Sequence, residues 1–374
     1  MLILKRGLKG LGLWMPRFRD TGISPRYWVL PPGPRNSITD VEGVRVGHVT
    51  LIRGEGRLVP GRGPVRTGVT VVIPHRGNVF AEKVPAAAYV VNGFTKAVGL
   101  VQVEELGVLE TPIALTNTLN VGLVADGLIE YSIRENPGIG VSTTTVNPVV
   151  LECNDGFLND IQGRHVKQHH VLEAIERASE VVEEGSVGAG TGVRSFGFKS
   201  GIGTASRIID TGVGRFVLGV LVQSNFGRRG DLIVAGVPVG RLLSEGVDTG
   251  GKGSISIVIA TDAPLTPRQL RRIARRVQIG LARVGGYTSH GSGEVVVAFS
   301  TGYTIPHGGG DRVRVELLPD EELNPFFRGV AEVVEEAVLN SMFMSKTMVG
   351  RDGNTVPGIP VDEVVELVKR CGAV

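Results

Sequence analysis

Short apolar runs alternate with amphipathic stretches along most of the chain, and turns rich in glycine and proline separate them. Residues 44–52 alternate between apolar and polar, whereas residues 68–74 and 294–300 are almost continuously apolar, as strands covered on both faces are. The pattern predicts further strands at 112–115, 148–153, 215–223, 231–237 and 254–260.

Helical spacing of apolar residues predicts helices at 92–107, 120–136, 170–184, 266–284, 321–343 and 361–370. Thr266 and Pro267 are suited to the N-cap and first position of the fourth of these. Because strands and helices mix without a linker or a repeat, we expect one large α/β domain over 36–374. Residues 1–35 are predicted to be an N-terminal tail.

Composition narrows the partners that such a domain would have. The 374 residues carry a net charge of only +3, and 5% are aromatic, which argues against nucleic acid. No apolar run reaches the roughly 18 residues of a membrane helix. Cys153 and Cys371 have no metal-binding or redox spacing, so we expect a cytoplasmic protein without a metal site.

The Gly253-Ser254 bond is the most informative single position, because a glycine-rich approach delivers a serine onto a buried strand. In one interpretation the serine cuts the chain before itself. The new N-terminus would then carry its own base, since an α-amino group has a pKa of about 7.7–8.0. In the other, a flexible glycine loop enters a core strand, and this segment taken alone favours that interpretation.

Polar residues at other strand ends are candidates for the same chemistry. Asn225 follows an apolar strand and could donate to an oxyanion, although asparagine is also common in turns. Ser292 and Glu294 are two apart on an extended segment and therefore share a side, unless they form only a turn before a strand. The polar cluster at 152–160 fits a pocket-lining loop.

Taken together, these segments resemble the self-processing serine aminopeptidases typified by L-aminopeptidase/D-esterase/amidase and the β-peptidyl aminopeptidases, peptidase family S58. The resemblance covers roughly residues 36–345. In chain order the matching segments are NSITDV from Asn36, VGH from Val46, TNTL from Thr116, NDG from Asn154, LND from Leu158, GAGTG from Gly188, SNFG from Ser224, GS from Gly253, ATDAPL from Ala260 and HGSGE from His290.

The resemblance implies a four-layer αββα sandwich, like that of the N-terminal-nucleophile hydrolases but with different strand connectivity. It also implies a precursor that cuts itself at Gly253-Ser254 into an α chain of residues 1–253 and a β chain of residues 254–374. By the same resemblance Ser254 is the nucleophile and its freed amine is the base.

The resemblance extends to the rest of the site. Asn225 would donate to the oxyanion, and Ser292 and Glu294 would orient the nucleophile and its amine. Glu152 and Asn154 fall near a substrate-pocket segment, where some members have a tyrosine and this chain has Asn154.

We therefore predict an aminopeptidase or amidase that removes N-terminal residues from short peptides or amides, without a cofactor, as a homo-oligomer of four or more chains. Two alternatives stay open from sequence. One is an acyltransferase of the ornithine acetyltransferase type, although those enzymes use threonine as the nucleophile. The other is an uncleaved binding protein.

Overall fold

Two β-sheets form the centre of the structure, a computed structural model that describes residues 15–243, 253–308 and 312–372. The smaller sheet has the strand order β1-β2-β5-β6, and the larger has β13-β3-β12-β11-β10-β9 with β4 on β3. The strands are β1 Arg45–Arg53, β2 Val65–Ile73, β3 Glu82–Gly93, β4 Val108–Leu109, β5 Ile113–Asn117, β6 Val149–Cys153, β7 Arg194–Ser195, β8 Phe198–Lys199, β9 Ile202–Thr211, β10 Gly214–Asn225, β11 Ser254–Thr261, β12 Gly293–Ser300, β13 Ile305–Pro306, β14 Met348–Val349 and β15 Thr355–Val356.

Helices cover the outer faces of both sheets. The helices are α1 Leu100–Leu106, α2 Val121–Glu135, α3 Gln168–Glu176, α4 Val239–Leu242, α5 Pro267–Ala274, α6 Val277–Arg283, α7 Asn324–Phe343 and α8 Val361–Arg370. In the described part of the chain, no helix combines the length and apolar character needed to cross a bilayer.

Three apolar clusters hold the layers together. One lies between the sheets, where Leu115 of β5 and Val258 of β11 belong to the same cluster. A second joins the smaller sheet to α2 and α3, and a third joins the larger sheet to α5, α6 and α7. Alternate residues of a strand point to opposite faces, so Ile257 packs under the helices while Val258 packs between the sheets. The layers are therefore α, β, β and α, as predicted.

Strand β11 lies at the centre of the larger sheet, antiparallel to β10 and parallel to β12. All of its residues are buried, because layers cover both of its faces, and this explains its continuous apolar sequence. The pairing aligns Ser254, its first residue, with Asn225 at the end of β10 and Gly293 at the start of β12.

Most predicted elements are confirmed with small shifts in their ends, and four differ. The helix predicted at 170–184 ends at Glu176, because Ser179 instead forms a β-bridge with Val46. Only Leu100–Leu106 of the helix predicted at 92–107 is helical, since β3 extends to Gly93.

The other two differences concern β10 and the helix after Thr266. Residues 231–237 do not pair with β10, whose partners are β9 and β11, and form turns closed by Val234 and Val237. The predicted helix 266–284 is two helices with a break at 275–276. Its start is as predicted, with Thr266 as the N-cap and Pro267 in the first turn.

Residues 15–35, the described part of the predicted tail, pack onto the domain. Phe18 is fully buried against Trp28 and Phe343 of α7, in edge-to-face contacts. The indole of Trp28 donates to Glu335 at 2.8 Å, which satisfies a carboxylate that α7 buries. These residues therefore contribute to the core rather than extending away from it.

Candidate active site

Ser254 stands at the head of β11 and is only 7% exposed. Strand alternation places its side chain on the same face as Ser256 and Val258, which is the face toward the smaller sheet. The hydroxyl of Ser256 donates to the carbonyl oxygen of Glu152 at 3.1 Å, and this bond ties β11 to β6 of the smaller sheet. Ser254 therefore faces the end of the space between the sheets.

Asn225 lies directly beside Ser254 on β10, and its amide is held in one orientation. Its Oδ1 accepts a hydrogen bond from the backbone N–H of Arg194 at 3.1 Å. Its Nδ2 donates to the carbonyl oxygen of Asn154, also at 3.1 Å. Because Oδ1 is occupied by a backbone donor, Nδ2 is the atom that can donate to a group bound next to Ser254.

A cavity of about 380 Å³ opens beside these two residues. Its walls come from both sheets and from the loops at their ends. The lining residues are Phe94, Lys96, Thr118, Glu152, Asn154, Gly156, Phe157, Gly192, Arg194, Asn225, Gly253, Ser254, Gly291 and Arg351. The structure thus brings four of the sequence-predicted site residues, Ser254, Asn225, Glu152 and Asn154, to one cavity.

The buried carboxylate of Glu152 lies in the wall of this cavity at the level of β6. Its Oε1 accepts from the hydroxyl of Thr95 at 3.1 Å and from the backbone N–H of Lys96 at 3.0 Å, and its Oε2 accepts from the hydroxyl of Thr118. These neutral donors hold the carboxylate in place without an ion pair among the described residues, so its negative charge remains directed at the cavity.

Ser292 and Glu294 lie on the other face of the larger sheet. They line a second cavity of about 20 Å³, the size of one water molecule. The Ser292 hydroxyl donates to the carbonyl oxygen of Ser289 at 2.6 Å. Burial raises the pKa of Glu294, an effect that the neighbouring Ser292 side chain and the backbone of Glu294 partly oppose. Its Oε2 is buried without a hydrogen-bond partner among the described residues.

Gly253 lines both cavities and forms part of the wall between them. Its carbonyl oxygen accepts a hydrogen bond from the backbone N–H of Gly293 at 3.2 Å. A Cβ atom at this position would lie 2.1 Å from the carbonyl oxygen of Asn225, so only glycine fits here. The glycine-rich residues before Gly253, at 250–252, lie outside the described residues.

Several cavity residues were not predicted from the sequence. Lys96, Arg194 of β7 and Arg351 come from segments far apart in the chain, and no spacing pattern connects them. Phe157, in contrast, lies within the predicted pocket-lining loop at 152–160. The one available signal for Arg194 is its place just after the GAGTG segment of the resemblance. Within the described ranges, no group of three or more His, Cys, Asp or Glu residues is arranged to hold a metal ion.

The two cysteines are not joined to each other. Cys153 is buried and Cys371 is exposed, and both are free thiols. Burial raises the pKa of the Cys153 thiol well above its usual value, which keeps it protonated and unreactive at neutral pH.

Comparison with solved structures establishes the class of fold. The L-aminopeptidase D-Ala-esterase/amidase of Ochrobactrum anthropi, described as a prototype for the serine aminopeptidases and a new variant of the Ntn hydrolase fold, superposes with a TM-score of 0.89. It is 35% identical, over 96% of this chain and 99% of that one. The PH0078 protein of Pyrococcus horikoshii OT3 matches with a TM-score of 0.92 and 53% identity, over 96% of this chain and all of that one.

The family follows from the sequence itself. The model of peptidase family S58 matches residues 36–356, and this chain belongs to that family. The β-peptidyl aminopeptidase BapA of Sphingosinicella xenopeptidilytica is 42% identical over 371 residues, covering 95% of this chain and 91% of the relative. The chain is therefore a serine-type aminopeptidase, as predicted.

Proposed function

We propose that the chain cuts itself between Gly253 and Ser254 and then hydrolyses N-terminal amide or ester bonds of short peptides through an acyl-enzyme on Ser254. The observation that carries this proposal is the pairing of Ser254 with Asn225 on adjacent strands, both facing one cavity that also holds Glu152. A nucleophile, an amide donor and a binding carboxylate then surround one substrate position.

Self-cleavage begins at the Gly253 carbonyl. The Ser254 Oγ adds to its carbon, and negative charge develops on an oxygen that already accepts from the Gly293 N–H. The C–N bond breaks, and the nitrogen of residue 254 takes up the proton that the hydroxyl loses and becomes an amine. Water then hydrolyses the ester, which leaves a carboxylate on Gly253 and restores the hydroxyl of Ser254.

The new amine of Ser254 would act as the general base. Its nitrogen lies at the point where the larger and smaller cavities meet, because Gly253 lines both. Departure of Gly253 would expose this amine to Ser292 and Glu294 in the smaller cavity. The Glu294 carboxylate, whose Oε2 has no partner among the described residues, is suited to accept a hydrogen bond from the amine and orient it.

Substrate turnover would use the larger cavity. The Ser254 Oγ attacks the substrate carbonyl while the amine takes its proton, and the Asn225 Nδ2 donates to the oxyanion that forms. The amine returns the proton to the leaving nitrogen, and the C–N bond breaks. Water then hydrolyses the acyl-enzyme by the same route, releasing the N-terminal residue as a free acid.

Glu152 would restrict the enzyme to substrates with a free amino group. Its carboxylate is held by Thr95, Thr118 and a backbone N–H, and its charge can pair with a substrate ammonium group. The relatives' names describe β-peptidyl aminopeptidases and an L-aminopeptidase that is also a D-Ala-esterase/amidase. We propose the same broad class of short substrates here.

The Glu152→Gln substitution tests this assignment. We expect the unaltered enzyme to cleave L-alanyl or β-alanyl p-nitroanilide and to leave the N-acetylated compounds intact. The variant should raise KM about 10- to 100-fold with a smaller effect on kcat, because a charge-assisted hydrogen bond is lost. The matched control is Glu104→Gln, a half-exposed glutamate paired with Arg271 on the surface, which should change neither value. Equal cleavage of acetylated substrates would contradict the assignment.

Two further proposals come from the sequence, the first from the resemblance and the second from the cysteine usage. We propose a homo-oligomer of four or more chains, and a cytoplasmic location.

A further inference from the structure

Arg194 places a positive charge in the cavity with no acidic partner among the described residues. Its side chain is half-buried, and its Nη1 is buried without a hydrogen-bond partner in the described part of the chain. Burial lowers the pKa of the guanidinium group, but arginine remains protonated at neutral pH. Because this charge is partly buried and has no acidic partner among the described residues, a ligand that supplies an anion would stabilise it.

One contact fixes the backbone of Arg194, and another fixes its guanidinium group. The backbone N–H of Arg194 bonds to Asn225, and the guanidinium carbon lies 3.7 Å from the centroid of the Phe157 ring. This contact with the ring holds the guanidinium group in place, while the accessible part of the half-buried side chain lines the cavity. An edge with paired N–H groups matches the geometry of a carboxylate.

Arg351 lines the same wall, since its backbone N–H donates to the carbonyl oxygen of Leu158, the residue after Phe157. Its Nη1 lies 3.7 Å from a carboxylate oxygen of Asp352. Arg351 therefore has an acidic partner, although its Nε is also buried without a hydrogen-bond partner, and Arg194 is the cavity arginine that lacks an acidic partner within the described ranges.

The cavity thus presents a carboxylate at Glu152 and a guanidinium group at Arg194, with Ser254 in the same lining. We propose that Arg194 binds the terminal carboxylate of the leaving amino acid, so that free dipeptides are the preferred substrates. This inference rests on the proposed function. When the substrate ammonium group pairs with Glu152, the acyl residue occupies the side of the cavity near Glu152. The leaving amino acid then extends toward the wall that carries Arg194.

The test compares two leaving groups that differ mainly in their terminal charge, glycine and glycinamide, with p-nitroaniline as the reference. The kcat/KM of the purified enzyme is measured for alanyl-glycine, alanyl-glycinamide and alanyl p-nitroanilide, with either L-alanine or β-alanine as the acyl residue. We expect the free acid to exceed the amide by about 10- to 100-fold. The Arg194→Gln variant should lower this ratio to about one, and Arg194→Lys should retain part of it.

Arg215→Gln is the matched control, because Arg215 is an exposed arginine at the opposite end of β10 and should leave the ratio unchanged. Equal kcat/KM for acid and amide in the unaltered enzyme would overturn the inference, as would an unchanged ratio in Arg194→Gln. A ratio lost in Arg351→Gln but kept in Arg194→Gln would also overturn it. If Arg194→Gln does not fold, the ratio of kcat/KM for the free acid to that for the amide, measured in the unaltered enzyme and in Arg194→Lys, tests the inference.

The outcomes separate this inference from the proposed function. Absence of turnover on all three substrates contradicts the proposed function. Turnover of the p-nitroanilide with no preference for the free acid contradicts only the carboxylate site at Arg194.

Discussion

The Ser254→Ala variant is expected to remain one chain of 374 residues and to show no aminopeptidase activity above background. The substitution removes the hydroxyl that would attack both the Gly253 carbonyl and the substrate. Loss of a serine nucleophile lowers kcat by on the order of 10⁶ in comparable hydrolases. Intact mass under denaturing conditions reports cleavage, and p-nitroanilide hydrolysis reports activity.

A matched control separates loss of the nucleophile from loss of a buried serine. Ser300 is fully buried at the other end of the same sheet, where its hydroxyl donates to the carbonyl oxygen of Ala263. Ser300→Ala should lower stability by roughly 1–3 kcal/mol and still be cut and active. Clean cleavage before position 254 in Ser254→Ala would contradict the mechanism.

The Asn225→Ala variant is expected to lower kcat by roughly 10²–10³, because one donor to the oxyanion is lost. Self-cleavage should still occur, since the Gly253 carbonyl oxygen accepts from the Gly293 N–H rather than from Asn225. Intact mass and steady-state kinetics on the same preparation measure the two effects separately.

The Asn225→Asp variant is a more specific test of the same donor. It keeps the shape and an oxygen that can accept from the Arg194 N–H, but its second oxygen cannot donate when ionised. We expect it to be at least as slow as the alanine variant above the pKa of the new carboxyl group. An unchanged kcat in either variant would remove Asn225 from the oxyanion site.

The predictable part of the fold is the part in which burial imposes a clear pattern. β2, β11 and β12 are rich in apolar residues because layers cover both of their faces, and all three were predicted. β3 was missed because Pro85 and three successive alanines break the usual strand composition. The end of α3 was also missed, because the β-bridge from Ser179 to Val46 is a tertiary contact that local periodicity does not encode.

The site is predictable only in part, for a related reason. The resemblance identified Ser254, Asn225, Ser292 and Glu294, and spacing alone put the last two on one side. The separation of Ser254 from Glu294 by the sheet depends on strand register, which sequence does not give. Arg194 enters the cavity through its contacts with Asn225 and Phe157, and these exist only in the folded chain.

The intact mass of the purified wild-type protein under denaturing conditions shows whether the chain is cut at Gly253-Ser254. Two chains are expected, residues 1–253 and residues 254–374, with serine as the N-terminus of the smaller one. A single uncut chain of 374 residues that nevertheless hydrolyses alanyl p-nitroanilide would contradict the proposed mechanism, because Ser254 would then have no free amine to act as the base.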